Sequence, residues 1–374
     1  MRILTVSSFF ETHGGGLEIV AGTLARALAR RGHDSRHAAA ALGPVPGTPD
    51  VTFVPLAARD PLEALTGLPM PLPDGAARKR LANEVRSADA VIIHDALYAT
   101  SQLARIYAER AGKRWILIQH IGGIRYRSAV MRAALGLANR LVTRPTLAAA
   151  PQVVFISDTV RAQFGDVAFA RPPELMFNGV DSNQFHPLSP EDRVAARQRL
   201  GLDPSRPQLL FVGRFVEKKG LAALRELARL RPDCNLMIVG SGPIDAGNWN
   251  LPNVQLAGRK SHAELAALYR VMDALVLPSV GEGYPLVVQE AMASGLPVYC
   301  GLDSAFADPE AAAFHHGIAV DPGDAAGTAR QFAAAIPAEP LPSADASAAA
   351  YARRCYDWDA NAARIEALLD ASPT

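Results

Sequence analysis

From Asp273 to Cys300 the chain reads as an apolar run of strand length (Asp273–Pro278), a glycine loop (Gly281–Tyr284), a helix and a further strand. Pro285 suits the first turn of that helix, and Gly295 with Pro297 suits its end. A strand that runs through a loop into a helix and returns as a strand is the connection parallel sheets require. The helix start turns unpaired backbone N–H groups and the positive end of its dipole toward Gly281–Tyr284, so an anion, above all a diphosphate, suits that loop.

Glu282 lies just before this helix and Glu290 about five residues into it. Were the interval helical throughout, the two carboxylates would stand roughly 12 Å apart at about 1.5 Å per residue. That is too far for the acid and nucleophile of a retaining glycosidase, about 5–5.5 Å apart, and awkward for an inverting pair. They read instead as two carboxylates gripping hydroxyls along one elongated ligand, for which the vicinal diols of sugar rings are natural partners.

The same alternation runs through the chain. Strand-like runs at Arg2–Ser7, Val51–Pro55, Asp89–His94, Arg114–Gln119 and Gln152–Ile156 are separated by helical patterns at Leu17–Arg31, Ala76–Ser87 and Leu97–Ala111. A second series begins with a helix near Glu191–Leu200 and continues through Gln208–Val212, Asn235–Val239 and Asn253–Ala257; Ser261 and Glu264 form a capping box for the helix His262–Met272. Alternating strands and helices predict doubly wound parallel sheets, and 374 residues are more than one core usually holds. The Asn178–Asp181 turn, followed by Phe185 and Pro187, marks the boundary, giving domains at 1–180 and 181–352 with a terminal helical segment at 353–374.

Composition excludes several classes. A net charge of +1 argues against a nucleic-acid binder. Three dispersed cysteines, Cys234, Cys300 and Cys355, without a C-x-x-C pair, read as reduced and structural, as in the cytoplasm. Met1–Phe10 is too short for a signal sequence and no 18-residue apolar run occurs, so neither secretion nor a membrane span is expected. Gly14-x-Gly16 lacks the third glycine of a dinucleotide fingerprint. Asp357-x-Asp359 sits at a helix start without a preceding strand, so its acids read as capping and first-turn charge. No His, Asp or Cys cluster has metal-ligand spacing, and no metal is expected.

Other positions stand out as chemistry. Gly213 and Arg214 follow the strand Gln208–Val212, and Lys219-Gly220 comes five residues later; two fixed cations on such a turn can clasp the two phosphates of a nucleotide diphosphate and neutralise the charge of a leaving group. Lys218 falls outside that pattern. His94 and His120 both stand where strands end, the edge at which open α/β sheets bind ligands. Between Arg105 and Arg144 nine basic residues accompany one acid, Glu109, and Val130–Leu147 carries apolar residues at helical spacing, a pattern suited to an anionic membrane surface or a lipid-diphosphate acceptor. Gly122 and Gly123 with Arg125, Tyr126 and Arg127 follow His120 directly and form the candidate acceptor-side loop.

Taken in order, Gly15-Gly16-Leu17-Glu18, His120, Asn178-Gly-Val-Asp181, Gly213-Arg214 with Lys219-Gly220, Glu282-x7-Glu290 and Tyr356-Asp357-Trp358 resemble the motifs of the family-4 retaining glycosyltransferases of the GT-B fold, over nearly the whole chain. The resemblance implies two Rossmann-like doubly wound domains facing each other across a cleft, with the acceptor on the N-terminal domain, the nucleotide sugar on the C-terminal one, and a last helix, Trp358–Leu369, crossing back. It implies that Glu282 contacts the donor sugar and Glu290 the ribose, that Arg214 and Lys219 stabilise the departing diphosphate, and that His120 positions the reacting sugar or acceptor. Gly15, Gly16, Gly213, Gly283, Tyr284, Pro285 and Leu286 would line the donor, with the base near Arg259 in the Gly258–Lys260 turn; Gly123, Arg125 and Arg127 would lie on the acceptor side. Most relatives have Phe-Gly where this chain has Tyr284-Pro285, which removes one N–H contact while Tyr284 and Leu286 can still donate. Relatives often carry His-Asp where Ile121 follows His120 here, so a neighbouring acid is lost. The implied reaction is metal-free hexosyl transfer from a UDP- or GDP-sugar, with retention, to a hydroxyl of a lipid-linked saccharide in surface polysaccharide or glycolipid synthesis. The enzyme would be cytoplasmic and peripheral on the inner membrane face. Transfer to a soluble acceptor, a non-catalytic nucleotide-sugar-binding subunit and a nucleotide-sugar epimerase on the same fold are the alternatives.

Overall fold

The computed structural model describes residues 1–61, 70–123, 129–339 and 345–371. The chain forms two compact units: Met1–Gly123, Ala133–Gly179 and the terminal segment from Trp358 build the first, and Val180–Asp357, with residues 129–132, the second.

In the first unit, strands β1 (Arg2–Phe9), β2 (Asp34–Ala40), β3 (Thr52–Leu56), β6 (Ala90–His94), β7 (Arg114–Gln119), β8 (Val153–Phe155) and β9 (Glu174–Leu175) form one sheet in the order β3-β2-β1-β6-β7-β8-β9. Every pairing in it is parallel. A small antiparallel pair, β4 (Ala58–Arg59) with β5 (Leu72–Pro73), lies outside it. One face of the sheet packs Leu4, Val6, Val91, Ile93, Trp115 and Leu117 against the helices Gly75–Ser87 and Ala99–Arg110. The other face carries Ile3, Ile92, Ile116 and Ile118, covered by Leu24 and Leu28 of the helix Gly16–Arg30 and by Ile365 and Leu369 of the terminal helix Trp358–Ala371. Strands buried on both faces need apolar side chains throughout, which is why they read as continuous runs. The terminal helix is pinned further by Glu366, which accepts from Arg31 at 2.5 and 2.8 Å, and by Asn361, whose amide donates to the Phe177 carbonyl at 2.8 Å. Asp359 accepts from Arg30 at 2.9 Å.

In the second unit β10 (Gln208–Val212), β11 (Asn235–Val239), β12 (Val254–Gly258), β13 (Ala274–Leu277), β14 (Val298–Gly301) and β15 (His315–Ile318) run in the order β12-β11-β10-β13-β14-β15, again all parallel. The helix His262–Val271 opens on the Ser261–Glu264 capping box.

In each sheet the order reverses beside one strand. The first turns between β1 and β6, the second between β10 and β13. At such a switch point the loops leaving the carboxyl ends of the two strands diverge to opposite faces and open a crevice for ligands. The fold therefore gathers the loops after β1 and β6 in one unit, and those after β10 and β13 in the other.

Strand β2 was not foreseen from its residues. Its sequence, DSRHAAA, lacks the branched and aromatic side chains that mark strands, yet Ser35 and His37 are buried there. Both find partners only in the folded sheet: the Ser35 hydroxyl donates to the Ala25 carbonyl at 2.8 Å, and His37 Nε2 lies 2.8 Å from the Ser7 hydroxyl.

Candidate functional site

In the second unit β10 leads through Gly213 and Arg214 to a 3-10 turn, Glu217–Lys219, and then to the helix Leu221–Leu230. Strand β13 leads through Pro278–Tyr284 to the helix Leu286–Ala293, whose N-cap is Pro285. The two loops are joined: the Val280 N–H donates to the Lys218 carbonyl at 2.9 Å. Gly220, with φ +72°, packs so tightly on this junction that a Cβ there would come within 2.1 Å of the Pro278 carbonyl oxygen.

The loops bring together Arg214, Lys218, Lys219 and Glu282. Lys219 Nζ lies 3.3 Å from Glu282 Oε1, and Lys218 Nζ lies 3.4 Å from the same oxygen. Lys218, set aside by spacing alone, thus belongs to the site. Burial pushes the Glu282 carboxyl up, but the two ammonium groups outweigh it and hold it down at about 2. Burial lowers Lys219, with Lys218 and Arg214 adding to the fall and Glu282 opposing it. Glu282 Oε1 is enclosed without an aligned hydrogen bond, so its charge is matched while its lone pairs stay free for a donor. Among the described residues the Arg214 guanidinium has no carboxylate or hydrogen-bond partner. Beside the group, the helix Leu286–Ala293 presents a start that no side chain caps. The cluster offers three cations and one carboxylate with free acceptor capacity.

Glu290, in the second turn of that helix, is buried and accepts from the Tyr269 hydroxyl at 3.1 Å. Burial pushes its carboxyl up to about 7, against the pull of Tyr269. Tyr284 turns its ring inward. Its hydroxyl lies 2.9 Å from that of Tyr356, which donates to Asp308 Oδ2 at 2.7 Å, as Tyr351 does at 3.0 Å. Because the Tyr356 proton goes to Asp308, the Tyr284 hydroxyl is the donor between the two rings. The Tyr284 side chain is thereby committed to the core, leaving its backbone to the Glu282 loop. Arg259 stands apart at the end of β12, exposed, its Nε donating to the Ser241 hydroxyl at 2.9 Å.

In the first unit Gly15 is the N-cap of the helix Gly16–Arg30, and a Cβ on it would come within 2.0 Å of the Glu18 carboxylate. Glu18 is buried and accepts from the Ser8 hydroxyl at 2.9 Å. At the ends of β6 and β7, His94 Nδ1 and His120 Nε2 lie 2.9 Å apart, with the rings stacked at 5.1 Å. Burial drives His120 down to about 3 and His94 well below the usual histidine range, so the pair is neutral at physiological pH and shares one proton between the facing nitrogens.

An acid does adjoin His120, supplied by the neighbouring strand. Asp95 follows His94 in a left-handed conformation, φ +63°, and its carboxylate accepts from the Ile121 N–H at 3.1 Å, from Gln119 Nε2 at 3.2 Å and from the Leu97 N–H at 3.4 Å. Burial pushes this carboxyl up to about 6 despite those bonds. The position after His120 is Ile121, as the sequence reads, and the acid beside this strand end comes from the neighbouring strand, a proximity that sequence neighbours cannot show. Gly123 spends its N–H on Gln163 Oε1, at 2.6 Å. Arg125 and Arg127 lie outside the described residues.

The nine basic residues between Arg105 and Arg144 include three that are paired, one with the acid of the same helix and two with acids from other segments. Arg105 pairs with Glu109, Arg114 with Asp370 and Arg144 with Asp166.

Residues 14–184 match the family described as Glycosyltransferase Family 4, and residues 192–354 match that described as Glycosyl transferases group 1. The chain belongs to the family-4 glycosyltransferases. Relatives of this family-4 chain include the D-inositol 3-phosphate glycosyltransferase of Segniliparus rotundus, 37% identical over 35% of this chain and 32% of that protein. Another is the GDP-mannose-dependent monoacylated alpha-(1-6)-phosphatidylinositol monomannoside mannosyltransferase of Corynebacterium glutamicum, 30% identical over 40% of this chain and 44% of that one. The chain thus spans less than half the length of these curated relatives. Among solved structures, Anabaena Alr3699/HepE in complex with UDP superposes with a TM-score of 0.69 over 99% of this chain and all of that one, at 17% identity, which shows the shared GT-B architecture.

Proposed function

We propose that this chain transfers a hexosyl unit from a UDP- or GDP-sugar to a hydroxyl of a lipid-linked saccharide, with retention of configuration. The observation that carries this reading is the Arg214–Lys218–Lys219–Glu282 group beside the uncapped helix start at the β10/β13 switch point. A diphosphate meets Arg214, Lys219 and the helix N–H groups; a sugar hydroxyl donates to Glu282; the ribose hydroxyls donate to Glu290. The bond from the anomeric carbon to the diphosphate breaks as the acceptor oxygen bonds to the same face of that carbon, and the acceptor proton passes to a donor phosphate oxygen. No carboxylate serves as nucleophile. The neutral His120, held by His94, positions the reacting sugar or acceptor. The leaving charge falls on Arg214 and Lys219, which neutralise it in place of a metal ion.

The lipid-linked acceptor is favoured by the helix Ala129–Ala138 and the π-helical turn Asn139–Thr143 that continues it, where Val130, Leu137 and Leu141 stay 81%, 57% and 63% exposed with the exposed Arg140 among them. Apolar side chains with a basic neighbour suit the headgroup layer of an anionic bilayer. Among the described residues no helix is long and apolar enough to cross a membrane, so contact would be peripheral.

Donor binding tests the reading. In a thermal-shift panel without metal, a UDP- or GDP-hexose at about 100 times its Kd adds roughly 2.7 kcal/mol of stability. That gain is lost in Glu290→Ala. In the wild type affinity rises between pH 6 and pH 8, because a carboxyl at about 7 ionises there and only the ionised form accepts from both ribose hydroxyls. The sign for the free protein is opposite: a carboxyl raised above its unfolded value costs stability as pH climbs from about 4.5 to about 7. No shift with any nucleotide sugar would reject the reading in favour of a non-catalytic role.

A further inference from the structure

Two lysines converge on Glu282 where phosphate chemistry requires one. Both Nζ atoms address Oε1, at 3.3 Å from Lys219 and 3.4 Å from Lys218, and neither makes an aligned hydrogen bond to it. Their settings differ. The Lys219 side chain is 13% exposed and runs past Gly213, its Cδ and Cε only 3.6 Å from where a Cβ on that glycine would stand. Lys218 is 33% exposed and reaches Glu282 from the solvent side, while its own carbonyl is bonded by Val280 of the Glu282 loop at 2.9 Å.

We propose that Lys218 is a positioning residue that keeps the Glu282 carboxylate ionised and aimed at the donor sugar once a diphosphate has drawn Lys219 away. The inference rests on the donor reading above. A diphosphate carries more charge than a carboxylate and competes for the inner lysine. Glu282 would then be left enclosed without a cation, a state that favours its protonation or its withdrawal toward water. Lys218 prevents both. It lies on the oxygen that Lys219 vacates, and the Val280–Lys218 backbone bond fixes its distance from the loop.

The test compares UDP-glucose and GDP-mannose with free UDP and GDP, by calorimetric titration of the wild type, Lys218→Met and Lys218→Arg. The expected result is a loss of about fivefold in affinity for the nucleotide sugar in Lys218→Met, the scale of a partly enclosed ion pair, with the free nucleotide unchanged and affinity restored in Lys218→Arg. Equal weakening for sugar nucleotide and free nucleotide would make Lys218 a phosphate ligand and overturn the proposal; no change for either would reduce it to a surface ion pair. A wild type that binds no nucleotide at all would overturn the donor reading itself.

Discussion

On the proposed reaction, Lys219→Ala lowers kcat/KM for glycosyl transfer by about 10²–10³, the scale observed when one preorganised group facing developing charge is removed. The leaving diphosphate gains negative charge as its bond to the anomeric carbon breaks, and an enclosed cation stabilises that charge more strongly than water does. Lys219 is suited to this by its enclosure, which disfavours the isolated ammonium, so the more highly charged diphosphate is welcome beside it. The fold tolerates the change, because Glu282 retains Lys218 at 3.4 Å and because the loop junction rests on backbone bonds that the side chain does not make. Steady-state kinetics with a melting curve separates the two effects. Near-wild-type turnover would remove Lys219 from the site, and a collapsed melting curve would make it a structural residue.

Asp273→Ala, at the opposite edge of the same sheet, costs about 3–5 kcal/mol of stability, the range for breaking a buried ion pair from one side. Asp273 is 1% exposed and precedes β13. Its Oδ1 accepts from Arg193 at 2.8 Å and Arg197 at 2.9 Å, and its Oδ2 from Arg197 at 3.3 Å and the Gln208 N–H at 2.8 Å. Deleting the carboxylate leaves the Arg197 guanidinium, in a residue only 8% exposed, facing the Val271 carbonyl without a counter-charge, and it strips the first N–H of β10 of its acceptor. Urea unfolding followed by tryptophan fluorescence measures the loss, while turnover per folded molecule stays near wild type because the site lies at the far ends of the strands. A cost below about 1 kcal/mol, as for an exposed pair, would contradict this reading of the triad.

Local regularity made much of the fold legible. Strands such as Ala274–Leu277, and Ala90–His94 up to its last residue, are apolar because both faces are covered, and caps such as Ser261 with Glu264 announce themselves by residue type and spacing. Strand β2 was hidden because its polar side chains are satisfied by residues from other segments. The site follows the same division. Glu282, Glu290, Arg214 and Lys219 were visible as residues because their spacing within one loop or helix carries the signal. Lys218 and Asp95 were not, since each depends on which strand ends meet, nor was the inward turn of Tyr284, which depends on Tyr356 at a distant helix end. Asp95 beside Ile121 follows from β6 pairing with β7, and Lys218 beside Glu282 from β10 pairing with β13. Asp95 did carry one clue, an acid directly after a histidine at a strand end.

Metal-free transfer with retention from a nucleotide diphosphate sugar is the reaction proposed for this chain. It is tested most directly by incubating the chain, in the presence of EDTA, with UDP- or GDP-hexose and a short polyprenyl-diphosphate saccharide, and reading the product's anomeric coupling by NMR. The expected result is one glycosidic bond formed per donor consumed, with the donor's anomeric configuration kept. An inverted product, an isomerised donor with the acceptor untouched, or no turnover until a divalent metal is added would contradict it.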